Sequence, residues 1–331
     1  MRTLPIALLM LLGLLLAACT SKSPQDTQAP VETLVDQDDP DNPLMPSLES
    51  ICYLSPNREA MRQFFTQTLQ ARAVSSEGEA FDFMDALEVR PGQPLVRIFD
   101  PGPYADMQPG TAYTREALIA PTHDNHATYG VYWAAFITNS IDGVVADLEA
   151  SGVKFDWYIR NLPLPHEPGT RAASLWTPDR TLIVLVERAT HPGQTLFSFD
   201  HLMIMVENLE TAVDFYRKAW HARVASTNGR LAVMEVGGLP LVLAEPQVLG
   251  MKPSLVLRAR RSAFRPGVAA IGLRFDQLDV QIESLQAAGI AWLQPPVQPV
   301  YRGSELPYRL GLLASPDSMK YLVRGDDPLP Q

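Results

Sequence analysis

Cysteine is nearly missing from this chain of 331 residues, with two examples, Cys19 and Cys52. Two thiols build neither a disulfide framework nor a cysteine-based metal site. Positive charge is also short. Lys and Arg number 27 against 37 Asp and Glu, a net charge of -10, which argues against nucleic acid as a partner because phosphate binding needs a basic face. No apolar run reaches the roughly 20 residues of a spanning helix. The G-x-S-x-G nucleophile elbow, the phosphate-binding glycine loop and HExxH are all missing, and with them the hydrolase, nucleotide and zinc-protease chemistries they serve.

What is present begins with "MRTLPIALLMLLGLLLAACTSKS": one positive charge at Arg2, an apolar run from Leu4, and small residues before Cys19 that mark a cleavage site. The "LAAC" at 16 to 19 resembles the lipobox of a bacterial lipoprotein signal. That resemblance implies a signal peptide over 1–18, acylation of Cys19, and a lipid anchor in the membrane. Thr20 after the cysteine implies the outer membrane, with the protein facing the periplasm. Cys52 is then left without an intramolecular partner. Residues 19–46 read as a disordered acidic tether. Six acids there (Asp26, Glu32, Asp36, Asp38, Asp39, Asp41) face one base, Lys22, which leaves a body of charge -6.

About 285 residues remain, enough for two domains, and they repeat. "NREAMRQFFTQTLQARAVSS" (57–76) aligns with "NLETAVDFYRKAWHARVAST" (208–227), "LEASGVKF" (148–155) with "LQAAGIAW" (285–292), and "TPD" (177–179) with "SPD" (315–317). Each half divides again. A short apolar strand precedes a helix and further strands four times, at "LESICYL", "VYWAAFIT", "DHLMIMV" and "AIGLRFD". Val144, Val145 and Leu148, like Val213, Phe215, Tyr216 and Trp220, recur near a 3.6-residue period, and Gly152 and Gly289 stand where a helix ends in a left-handed residue. The pattern predicts an α+β protein of four βαβββ modules.

That order resembles the vicinal oxygen chelate superfamily, which includes glyoxalase I, bleomycin-resistance proteins and extradiol dioxygenases. "DHLMIMVENLETAVDFYRKAW" is similar to the family's first strand and helix, and "AAG" and "SPD" to its helix end and last turn. The resemblance implies two glyoxalase-like domains, 47–190 and 197–326, each pairing two modules into an open U-shaped sheet around a cleft. The sequence leaves open a swapped pairing between the halves.

In the family a divalent metal sits on the cleft side, held by His or Glu from the first strand of each module and Glu from the last. Side chains alternate along a strand, so His201, Met203 and Met205 are expected to face the cleft, with His201 at the first ligand position. The other positions in that half fall on Val242, Ala270 (with Gly272 and Arg274 on the same face) and Leu322, and in the first half on Glu49, Arg97, Tyr132 and Val184. One ligand makes no site, since a catalytic metal takes about three protein ligands. No cofactor is therefore expected, and a divalent metal only through His201. A histidine bonded to a carbonyl or a neighbouring side chain is the plainer reading of His201, with a ligand contact as another. Glu49 and Arg97 are either a buried structural pair, the favoured reading, or Arg97 grips an anionic ligand.

Further candidates are rim residues of two aligned loops, in which Arg171 and Arg309 stand at equivalent places: Trp157, Arg160 and His166 in one copy, Tyr301, Arg302, Tyr308 and Arg309 in the other. His123 and His126 form an i, i+3 pair in a loop without an acidic partner. The functional expectation is a small-molecule or protein ligand bound without metal in the periplasm. Two alternatives stand beside it. One is a glyoxalase-like lyase or dioxygenase using His201, completed by Glu245 through a bulge. The other is a structural envelope-assembly lipoprotein.

Overall fold

The computed structural model describes residues 46–74, 84–100, 129–162, 164, 169–188, 197–256, 267–298, 300–301, 304–305 and 307–326. The signal segment, Cys19, the tether up to residue 45, His123, His126, His166 and Arg302 lie outside them.

The first module is β1 (Ser47–Leu54), α1 (Arg58–Thr68), β2 (Arg72–Ala73), β3 (Met84–Glu88) and β4 (Leu95–Phe99). The second is β5 (Gly130–Thr138), α2 (Ile141–Ala150), β6 (Phe155–Asn161), β7 (Arg171–Trp176) and β8 (Leu182–Glu187). The third is β9 (Ser198–Met205), α3 (Leu209–Trp220), β10 (Arg223–Asn228), β11 (Leu231–Val236) and β12 (Leu239–Ala244). The fourth is β13 (Gly267–Phe275), α4 (Leu278–Ala287), β14 (Trp292–Val297), the short pair β15 (Val300–Tyr301) and β16 (Ser304–Glu305), then β17 (Arg309–Ala314) and β18 (Lys320–Gly325). Four βαβββ modules are what the repeats predict.

Local chemistry sets the helix limits. Asn57 and Asn208, the residues that open the aligned repeat, each accept a hydrogen bond from the amide three residues on, at 3.2 and 2.8 Å, so both are N-caps. Gly152 and Gly289, at φ of +84° and +70°, end α2 and α4 in the left-handed conformation that side chains resist.

The pairing of modules differs from the expectation. One eight-stranded sheet runs β14-β17-β18-β13-β1-β4-β3-β2 and the other β10-β11-β12-β9-β5-β8-β7-β6. Each sheet therefore joins modules from different halves, the first with the fourth and the second with the third, through the antiparallel pairs β1·β13 and β5·β9. The halves do not each close into a sheet of their own. Every module presents the same kind of first-strand edge, so the edge pattern fits either pairing. The second and third modules are consecutive in the chain, and with their edges joined the first and fourth have each other's edges left.

Both sheets contribute alternate strand residues to one apolar core beneath the helices, including Ile51, Tyr53, Ile183, Leu202, Ile271 and Leu273, together with Met61, Phe65, Leu148, Tyr216, Trp220 and Leu285 of the helices. Each fully buried side chain of this kind contributes about 1.5–3 kcal/mol. Trp220 of α3 lies 5.1 Å from Tyr321 and 5.8 Å from Phe275, so a helix of one sheet packs on strands of the other. The aligned turns also cross over. Asp179 of "TPD" bonds Ser55 after β1, and Asp317 of "SPD" accepts from the Glu207 amide at 2.8 Å. Burial pushes the Asp179 carboxyl up to about 6, against the hydrogen bond from Ser55.

Candidate functional site

Strand alternation places the expected cleft residues on the face turned away from the helices. On the β5/β9 sheet, Met203, Val242 and Val184 share an apolar cluster with Trp133, Leu162 and Leu164, and Tyr132 packs against it. Met205 lies in a neighbouring cluster with Tyr129 and Val256. Met203 and Met205 are fully buried. This face is filled by the chain's own side chains.

His201 is buried, and both of its ring nitrogens are engaged. Trp133 Nε1 donates to Nε2 at 2.9 Å, and Nδ1 lies 2.7 Å from Asp200 Oδ2. Because an indole only donates, Nε2 is the acceptor and Nδ1 carries the proton given to Asp200. Arg188 grips Asp200 from the other side, Nε to Oδ1 at 3.1 Å and Nη2 to Oδ2 at 2.7 Å. Burial alone would raise the Asp200 carboxyl; the hydrogen bonds from His201 and Arg188 outweigh it and hold the group at about 2. The lone pair a metal would use is the one that Trp133 occupies.

The residue opposite His201 across the strand pair is Ala135, with Val184 next to Ala135 on the parallel neighbour. In the other sheet the matching residues are Ser50 and Gly272, flanked by Leu95 and Leu322. Glu49 is thus one residue away from the position expected for it. Both first strands carry a bulge there, at Glu49 between Leu48 and Ser50, and at Asp200 between Phe199 and His201. The shared place of the bulge, like the offset of the aligned repeats, makes Glu49 the counterpart of Asp200, and Ser50 that of His201. Tyr132 likewise sits off the His201-equivalent position, in the β5 bulge between Val131 and Trp133, whereas Arg97 lies beside Cys52 as Val242 lies beside Met203, so those two are equivalent as expected. Glu245 does not complete a site with His201. Its Oε1 accepts from the Leu209 amide at 3.2 Å, as Glu187 accepts from Ile141 at 3.1 Å. Each ends a strand parallel to the one that feeds the helix, so it meets the helix start. Among the described residues no group of three His, Cys, Asp or Glu is placed to hold a metal ion.

The β1/β13 sheet carries a different helix-free face. Cys52, Leu54, Ala270 and Leu312 form its apolar floor with Leu322. Beside that floor, Arg97 Nη2 and Arg324 Nη1 both donate to Glu49 Oε1, at 3.0 and 3.1 Å. Arg324 Nε also bonds Asp326 at 2.9 Å, and its guanidinium lies 4.2 Å over the buried Tyr308 ring. Arg274 reaches Asp326 at 2.7 Å. The Glu49–Arg97 pair therefore exists and is one edge of a larger network. Burial pushes the Cys52 thiol up to about 11, against the nearby Arg97 charge, so it is a thiol and not a thiolate at neutral pH.

Arg309 does not border a cleft. It shares the strand face of Leu313, which belongs to the helix-side core, and its Nη1 bonds Asp279 in the first turn of α4 at 2.6 Å. Arg171 does the same with Asp142 of α2 at 2.7 Å. These equivalent arginines clamp helices, where an acidic first turn also suits the helix dipole. Arg160 lies over the Trp157 ring at 4.0 Å. Sequence reasoning missed Trp133, Arg188, Asp200 and Arg324. The last had a signal, since it stands two residues beyond Leu322 on the same strand face.

No family model and no curated protein matches this sequence. Solved structures do. Glyoxalase I from Zea mays aligns over 85% of this chain and 92% of its own, at 14% identity and a TM-score of 0.56. A variant of the same maize protein reaches 0.58 at 13% identity, covering 85% of this chain and 94% of its own. A candidate dioxygenase from Bacillus subtilis aligns over 86% of both chains, at 13% identity and 0.52. This chain has a glyoxalase-like fold, with two open eight-stranded sheets.

Proposed function

We propose that this chain is a lipid-anchored envelope protein that binds a small molecule on its glyoxalase-like fold without a divalent metal. The observation that carries the metal-free reading is the chain Trp133–His201–Asp200–Arg188, which leaves neither His201 nitrogen for a cation. The residues opposite and beside His201 and Ser50 are Ala135, Val184, Gly272, Leu95 and Leu322, none of which ligates hard or borderline ions. Recessed charges beside an apolar floor favour a small ligand over a protein, because pockets join apolar walls to a few convergent polar groups. The lipobox-like "LAAC" supports attachment through Cys19 at the outer membrane, facing the periplasm.

The test is the metal content of the full chain, purified in detergent without chelator and challenged with zinc, nickel, manganese and iron(II). Far less than one metal per chain is expected. About one per chain, lost on His201→Ala, would return the protein to lyase or dioxygenase chemistry. For the anchor, Cys19→Ser is expected to abolish incorporation of labelled palmitate and release the protein from membranes.

A further inference from the structure

The two sheets are copies of one plan, yet their helix-free faces have diverged. The β5/β9 face is closed by Leu162, Leu164 and Met203. The β1/β13 face instead gathers Arg97, Arg274, Arg324 and Lys320 against Glu49 and Asp326, an excess of positive charge among the described residues. Arg324 and Arg97 come from β18 and β4, on either side of the central pair β13 and β1. They reach one carboxylate oxygen over the small residues Gly272 and Ser50. A Cβ on Gly272 would collide with Ser50 Oγ, so the serine hydroxyl fills the space above Gly272 and forms the floor beneath the two guanidiniums. Arg97, Arg324 and Glu49 are 14, 18 and 20% exposed, sheltered enough for charge to count and open enough for a ligand to reach. Tyr308, beneath Arg324, fixes the plane of that guanidinium.

We propose that this face is an organic-acid site in which Glu49 is the internal placeholder for the ligand's carboxylate. The inference rests on the small-molecule reading above. An incoming carboxylate replaces Glu49 between Arg97 and Arg324, in the two-pronged geometry guanidinium favours, and its apolar body lies against Leu322 and Phe99, the partly exposed side chains packed on the buried Cys52, Leu54, Ala270 and Leu312. Glu49 sits in the bulge of β1, where strand pairing is interrupted, so its side chain can leave without breaking the ladder. A merely structural network makes the opposite demand, because removing its central anion would take from Arg97 and Arg324 the carboxylate they share.

The experiment is calorimetric titration of the full chain with octanoate, with 1-octanol and inorganic phosphate as controls. Octanoate is expected to bind wild type weakly and Glu49→Gln about tenfold more tightly, with Arg324→Gln added to Glu49→Gln abolishing the gain. An affinity unchanged or weakened in folded Glu49→Gln overturns the proposal. Octanol binding as well as octanoate in every variant overturns the anion site while small-molecule binding stands; phosphate binding in place of octanoate overturns the organic-acid class. If no probe binds any variant, both readings fall. Should Glu49→Gln not fold, the double variant Glu49→Gln/Arg97→Gln removes one charge of each sign. Octanoate binding that survives it and is lost on adding Arg324→Gln supports the site; binding indifferent to Arg324, or absent in the double variant, overturns it.

Discussion

Trp133 Nε1 donates to His201 Nε2 at 2.9 Å between two paired strands, one from each half of the chain. In that bond the indole is the donor, so Nε2 accepts and the ring's other partner, at Nδ1, is Asp200. The histidine that the sequence resemblance sets at a first ligand position is thereby built into the fold. Trp133→Phe removes the donor and leaves a buried acceptor unsatisfied, which costs about 1–3 kcal/mol. Chemical denaturation measures the loss, and nitrogen NMR of the ring is expected to show Nδ1 still protonated, since Asp200 remains. An unchanged stability would refute the assigned bond.

Two aspartates give the protein pH dependences of opposite sign. Asp200 is held at about 2 in the folded state, below the ordinary 3.8, so its contribution of about 2 kcal/mol is present above about pH 4 and is lost as pH falls toward 2. Asp179 is raised to about 6. Its protonated form is the one the fold favours, so stability declines by about 3 kcal/mol as pH rises from about 4 through 6. Unfolding free energy measured from pH 2 to 8 is expected to rise, peak near pH 4 and fall. Asp179→Asn should flatten the falling limb and leave the rising one.

Adjacent glycines in the β11–β12 turn separate backbone strain from close approach. Gly237 and Gly238 both have positive φ, at +57° and +77°, but a Cβ on Gly237 would stand 2.3 Å from the Pro46 carbonyl, whereas Gly238 has open space. Gly238→Ala is expected to cost about 1 kcal/mol, the left-handed penalty alone. Gly237→Ala should cost at least twice that, because the atom it meets is backbone at the entry to the other sheet. Equal losses in parallel denaturation curves would show that the Pro46 contact is not tight.

Asn57→Ala and Asn208→Ala each remove a side-chain cap and are expected to cost about 1 kcal/mol. The first should loosen α1 and the second α3, which hydrogen exchange of the first-turn amides can assign. Protection unchanged in both helices would mean that packing alone holds their ends.

The sequence by itself determined the modules and most of their faces. Helical period, the two Asn caps and the Gly stops are local, and alternation of Leu, Val and Ile put Val242, Val184, Leu322 and Arg97 on the helix-free side. Glu49 was misplaced by one residue although the offset of the aligned repeats, 57 with 208, already pairs Ser50 with His201, and Arg309 was set at a rim because the loop alignment ignored the parity with Leu313. Tertiary structure decided which modules pair, since four similar strand edges carry no label. It also decided what His201 touches. The neighbours that make it a core residue, Trp133 and Arg188, are separated from it in sequence, and only the β5·β9 pairing and the end of β8 bring them to its ring and to Asp200.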